Sequence, residues 1–155
     1  MIIVPNVRLA IAADARSIAE MSRDYIEHGL GWSWTRARVL GSIQDKSTNV
    51  AVMHEQEAVL GFGIMHYGQD RAHLALLAVA PKHRKRGLGA VVLVWLEKCA
   101  VIAGIECIRL EARCDNPGAI AFYEEQGYRQ TGTARGYYSG SLDAVRLEKN
   151  LRSQL

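Results

Sequence analysis

Between an apolar run, Leu74 to Ala80, and a long helical pattern, 90 to 103, the chain carries Val79-Ala80-Pro81-Lys82-His83-Arg84-Lys85-Arg86-Gly87-Leu88-Gly89. That order predicts a strand, a tight basic loop and a helix start. Such a unit turns free backbone N–H groups and a helix N-terminus toward whatever the loop holds. Gly87 and Gly89 permit close approach and positive φ, while Lys82, Arg84, Lys85 and Arg86 add charge, so the loop suits phosphate. The competing reading is a solvated basic turn or a nucleic-acid patch. The spacing is not that of the common nucleotide loops. No Gly-Lys-Ser/Thr ending is present, and no third glycine follows Gly89 at the dinucleotide spacing.

At 155 residues, 49% of them hydrophobic and 23% charged, the chain is expected to form a single domain, 1–155. A net charge of +3 is too small for general nucleic-acid binding; what matters is its concentration at 82–86. The three cysteines, Cys99, Cys107 and Cys114, lack paired metal-ligand spacing and read as buried free thiols of a reducing cytosol. With neither a signal peptide nor a membrane-length apolar run, the expectation is a cytoplasmic protein without a membrane or nucleic-acid partner.

The pattern along the chain is β α α β β β α β α β β. A short strand at 7–10 is followed by a helix capped by Asp14, with Ile18, Met21, Tyr25 and Ile26 as its apolar stripe. Gly29-Leu30-Gly31 stops it, and Trp32-Ser33-Trp34-Thr35 leads into a second helix at 36–43. Strands at 49–54 and 58–67 form a hairpin, and an apolar strand at 73–80 follows. The next helix, 90–103, presents Val91, Val94, Trp95, Lys98 and Ile102 at helical spacing and ends at Gly104. A strand at 106–112 precedes a helix opened by Asn116-Pro117 and closed by Gly127; a second hairpin, 128–134 with 143–149, completes the chain. The fold class is α/β with a mixed sheet, its early strands antiparallel and one parallel crossover joining the strand near 72–80 to that near 105–112.

Two further groups carry chemistry. Asn116 and Tyr123 share one side of a helix, where the plain alternatives are a cap and a half-buried packing residue. Glu111 shares an alternating strand face with Arg109 and Arg113; it is either a structural ion-pair partner or a proton-accepting carboxylate at the mouth of a cleft.

Together these segments resemble the GNAT superfamily of acetyl-CoA-dependent N-acetyltransferases. Arg84-Lys85-Arg86-Gly87-Leu88-Gly89, preceded by Val79-Ala80-Pro81, matches that family's loop. Asn116, Ala119, Phe122, Tyr123, Gly127 and Tyr128 match its second block. Leu110-Glu111-Ala112-Arg113, the Tyr137-Tyr138 pair and Asp143-Ala144 are similar to the ribosomal-protein alanine N-acetyltransferases, a likeness that covers roughly residues 58–150. The resemblance implies a central, mostly antiparallel mixed sheet of about seven strands with about four helices. It places acetyl-CoA in a V-shaped splay between the fourth and fifth strands.

It further implies that backbone groups of Leu77, Ala78 and Val79 meet the pantetheine arm. The pyrophosphate falls to the loop of Arg84, Lys85, Arg86, Gly87, Leu88, Gly89 and Ala90, with Asn116 and Tyr123 near the thiol end. In the family match Glu111 is the general base, Tyr123 the general acid, and no metal takes part. The acceptor side is assigned to Trp32, Trp34, Tyr137 and Tyr138, with core or hairpin packing as the plain alternative for each. The leading acceptor is the N-terminal amine of a protein or peptide. The alternatives are a small-molecule amine (amino acid, polyamine or drug) and a non-catalytic acyl-CoA sensor. A monomer or a homodimer is expected.

Overall fold

A computed structural model describes residues 6–84 and 86–152. Lys85, which the sequence assigns to the phosphate loop, lies outside the described residues. The elements follow the expected order: β1 (Asn6–Leu9), α1 (Ala15–Met21), α2 (Arg36–Gln44), β2 (Thr48–Glu55), β3 (Ala58–Tyr67), β4 (Arg71–Val79), α3 (Leu88–Ile102), β5 (Cys107–Arg113), α4 (Pro117–Glu125), β6 (Arg129–Tyr138) and β7 (Leu142–Asn150). One seven-stranded sheet runs β1-β2-β3-β4-β5-β7-β6. Every pairing is antiparallel except β4 with β5, which is parallel.

The two sheet faces carry separate cores. Val92, Leu93, Leu96 and Ala100 of α3 pack on Met65, Leu74, Ile108 and Leu110, with Tyr123 of α4 in the same cluster. On the opposite face Ile18 and Val39, from α1 and α2, cover Val52, Phe62, Ile64, Leu76 and Ala78. The periodicity of 90–103 pointed to Val91, Val94 and Ile102, yet these are 42%, 37% and 87% exposed. That helix is apolar on nearly all sides, so its sequence offers more than one stripe, and contact with the sheet selects the other one. Gly63 of β3 lets α3 approach: a Cβ there would lie 2.7 Å from Leu96 Cδ1.

Asp14 also departs from expectation. It makes no side-chain cap on α1. Instead its carboxylate accepts from the Ile11 N–H at 2.8 Å and pairs with Arg8 at 2.7 Å, tying the helix start to β1. After α1 the chain widens into a π-helical turn, Ser22–Ile26. Of the thiols expected to be buried, Cys99 and Cys107 are partly so, whereas Cys114 is exposed just beyond β5.

The feature that shapes the site is a register shift between β3 and β4, where Ile64 pairs with Leu76 and Met65 with Leu74. Ala75 is the extra residue, a β-bulge, and bulges bend the strand that carries them. Leu74 accordingly belongs to the α3 core and Leu76 to the α1–α2 core, although strict alternation would put both on one face. Pairing of β4 with β5 stops at the same point, at Leu74 with Leu110. Beyond it the two strands part.

Candidate active site

The V-shaped gap expected between the fourth and fifth strands is therefore present, and its β4 edge is unpaired backbone. Ala80 N–H donates to Leu60 O across β3 at 2.8 Å. Antiparallel strands alternate inward and outward peptide groups, so Val79 and Leu77 turn their N–H and C=O into the gap. Arg84 fills one of these positions: its Nε donates to Val79 O at 3.1 Å. The Val79 N–H has no such partner among the described residues. On the facing edge, Cys114 N–H donates to Asp143 O at the start of β7, so by the same alternation Glu111 O points into the gap. The Tyr138 hydroxyl donates to it at 3.3 Å.

At the wide end of the gap stands the loop. Pro81–His83 forms one 3-10 turn, and Gly87, at φ +74°, caps α3 in the left-handed region that glycine adopts freely. The N–H groups of the first turn, from Leu88 through Gly89 and Ala90, have no helical acceptor and point out of the helix start. Gly89 keeps this turn bare: an added Cβ would sit 3.4 Å from Phe122 Cζ of α4. Not all of the loop's charge is free for a ligand. Arg86 lies 3.8 Å from Glu55 and 3.0 Å from His83 Nδ1, and the Arg84 guanidinium lies over Tyr25. Lys82 is exposed.

Glu111 lies on β5 at the narrow end, its side chain only 5% exposed. The partner expected from the sequence was an arginine of its own strand. Arg109 is indeed 3.6 Å away, but the tighter contact is His73 of β4, Nε2 to Oε2 at 2.6 Å. Burial pushes the Glu111 carboxyl up. The His73 hydrogen bond and the charges of His73, Arg109 and Arg146 outweigh it and hold the group below the usual carboxylate value. The sequence analysis missed His73. Its signal was a single histidine opening an apolar strand; the meaning came only from the register, which pairs His73 with Arg109, one diagonal step from Glu111.

Arg113, the other candidate partner, has a structural role. It is 9% exposed, chelates Asp115 and donates to Ile26 O and His28 O at 2.9 and 2.8 Å. It thereby fastens the segment after the π turn to the end of β5. Glu27, also missed, completes that fastening: its buried carboxylate accepts from Ser22 Oγ, Ser33 N–H, Ser33 Oγ and Trp34 N–H.

Tyr123 lies on α4, 8% exposed, edge-on to the rings of Phe122 and Tyr128. Among the described residues its hydroxyl has no hydrogen-bond partner, and no fully buried polar side-chain atom there lacks one. The hydroxyl must then reach open space. Burial pushes its pKa up, so the phenol keeps its proton throughout the neutral range. Asn116 caps α4, its Oδ1 accepting from Ala119 N–H at 3.1 Å. Tyr137 and Tyr138 stack edge to face at 4.9 Å beside Glu111, Tyr137 exposed and Tyr138 half-buried. The tryptophans part company. Trp34 is buried beneath Arg38, in the packing role, whereas Trp32 is 42% exposed with its Nε1 donating to Ala19 O.

A strand pair that parts at a bulge, a bare helix N-terminus at one end, an ionised carboxylate and a protonated phenol are groups suited to acyl transfer from a phosphate-bearing donor. The model of the Acetyltransferase (GNAT) family matches residues 15–128. The chain belongs to that family. A ribosomal protein bS18-alanine N-acetyltransferase of Salmonella typhimurium is 30% identical over 115 residues, 72% of this chain and 77% of that protein. The crystal structure of Ard1 from Thermoplasma volcanium superposes with a TM-score of 0.86 at 24% identity, covering 96% of this chain and 98% of the other. That of the PaiA N-acetyltransferase from Thermoplasma acidophilum, in complex with coenzyme A, gives 0.81 at 18% identity, covering 96% and 99%. As a GNAT enzyme the chain is an N-acetyltransferase that takes its acetyl group from acetyl-CoA. Its residues fit that donor: outward N–H groups on α3 for phosphate, and the unpaired Leu77 backbone and Val79 N–H for an amide-bearing arm.

Proposed function

We propose that this chain, acting as a single domain, acetylates the α-amine at the N-terminus of a protein or peptide. The observation that carries the reading is the form of the acceptor side. From Glu111 an open trough of about 280 Å³ runs along the sheet face, lined by Arg71, Arg109, Leu110, Arg146 and Glu148. An open trough admits a chain that continues past its amine; a small amine is better served by an enclosed pocket. The relative's printed activity agrees, since the only nitrogen of a protein alanine that can be acetylated as an amine is a free N-terminus.

In this reading the donor supplies an acetyl thioester. Glu111, kept ionised and oriented by His73, takes the proton from the acceptor amine, directly or through one water. The Val79 N–H donates to the carbonyl oxygen as it gains charge. Tyr123 gives its proton to the departing sulfur and regains it from solvent. The N–H groups of Gly87, Leu88, Gly89 and Ala90 hold the pyrophosphate, with Arg84 and Arg86 shaping the loop that presents them. Asn116 fixes the start of α4, which carries Tyr123. Trp32, Tyr137 and Tyr138 border the acceptor. Free thiols at Cys99, Cys107 and Cys114 fit a reducing, cytoplasmic setting.

The test is thiol release from acetyl-CoA with a panel of N-terminal peptides, polyamines and free amino acids. Turnover confined to peptides supports the proposal. Turnover confined to small amines, or donor binding without turnover, overturns it.

A further inference from the structure

The trough beside Glu111 has a chemical bias. Register pairs Glu111 with Arg146 and Arg109 with Glu148 across β5 and β7, and Arg71 with Cys107 across β4 and β5. Paired residues share a face, and 107, 109 and 111 alternate onto the same one, so these side chains all flank one strip of sheet. It is the face that α1 and α2 cover over β2, β3 and the far half of β4, left open at β5 and β7. Four positions of strand separate Cys107 from Glu111, about 13 Å, room for roughly four extended residues. At the upper end Tyr137 stands within electrostatic reach of Glu111, Arg109, Arg146 and also Arg38 of α2.

Apart from Arg38, whose guanidinium lies over Trp34, most of this charge is uncommitted. Arg38, Arg71, Arg109 and Arg146 are all exposed. Of these four, only Arg109 has a carboxylate within 4 Å among the described residues, Glu111 at 3.6 Å. Glu111 is already held by His73, and half-buried Glu148 stands in register with both Arg109 and Arg129 of β6, so guanidinium groups outnumber the two carboxylates along the path of an acceptor. Guanidinium forks bind carboxylates in bidentate fashion and repel cations.

We propose that the preferred acceptor is a peptide N-terminus with acidic side chains in the positions just after the acetylated residue, received by Arg71, Arg109 and Arg146, with Arg38 at the mouth. This rests on the N-terminal reading above and gives it a substrate class. Glu111 takes up the amine end; the arginines take up the side chains that follow.

The experiment measures kcat/KM of the full chain with acetyl-CoA and peptides that differ only in residues two to four. These are Glu in one, Gln in the second and Lys in the third, with free glutamate as a further acceptor. The acidic peptide is expected to exceed the neutral one by about tenfold, with the basic peptide lowest, since each charge-assisted contact adds to selection. The acidic-to-neutral ratio should fall several-fold in an R71Q/R146Q double variant. It should fall similarly for the unaltered protein between about 50 and 500 mM salt, as screening requires, a measurement independent of whether the variant folds. Equal turnover of the three peptides, or a preference for lysine, overturns the acidic preference and leaves the N-terminal reading standing. Acetylation of free glutamate or other small amines with no peptide turnover overturns both.

Discussion

Replacing His73 with phenylalanine tests the pairing on which the proposed proton removal depends. The ring is kept, but the 2.6 Å hydrogen bond to Glu111 is lost while that carboxylate remains 95% covered, Arg109 being left 3.6 Å away. A hydrogen bond to a charged group contributes about 1.5–3 kcal/mol. At 1.36 kcal/mol per pKa unit, the Glu111 pKa should rise by about one to two units. The carboxylate is then partly protonated at mildly acidic pH, and the acid limb of the kcat/KM profile should move up by the same amount, with the loss from protonation relieved as pH rises above neutrality. Stability follows from the sign of the native shift. A carboxyl held below its unfolded value stabilises the fold above about pH 4.3, and that contribution fades as pH falls through the folded value. The variant should therefore lie about 1.5–3 kcal/mol below the native protein at pH 7, roughly 3–12 °C in Tm, with the gap narrowing toward pH 3–4. Thiol-release kinetics from pH 5 to 9 and thermal melts at pH 4 and 7 measure both. An acid limb that stays in place, with a stability gap equal at the two pH values, would refute the role given to His73.

Tyr123→Phe keeps the ring among Phe122 and Tyr128 but removes the proton, so kcat should fall by about 10²–10⁴ while acetyl-CoA affinity measured by calorimetry stays within about threefold. Unchanged turnover would remove Tyr123 from the mechanism. Gly63→Ala drives a methyl group to 2.7 Å from Leu96 and 3.3 Å from Leu77 and Val92, and should cost about 1–3 kcal/mol in urea unfolding at unchanged m. Native stability in that variant would mean that α3 can shift outward, contrary to the tight seat described above.

Some of the site was legible residue by residue. Gly87 and Gly89 mark the loop because a left-handed cap and a bare first turn need glycine, and Asn116-Pro117 marks the start of α4 because both residues act on the nearest backbone. Glu111 stood out as a carboxylate between two arginines on a strand expected to be central. Its partner did not, because His73 lies 38 positions away and meets it only through the β4–β5 register. Arg113 looked like a partner for Glu111 on alternation alone; its contacts with Ile26 and His28 bridge more than 80 positions of chain. The face of α3 that meets the sheet was not legible, because apolar periodicity shows that a face exists and leaves open which one packs.

Element order, the phosphate loop and the α4 cap follow from the amino-acid chain itself, since each depends on bonding among neighbours a few residues apart. The gap between β4 and β5, the ion pair at its narrow end and the arginine-lined trough arise only in the assembled sheet. Ala75 is an ordinary residue in an apolar run, and it becomes a bulge through its pairing with β3. That one irregularity parts β4 from β5 and frees the Val79 backbone, a long-range effect of register that no local pattern encodes.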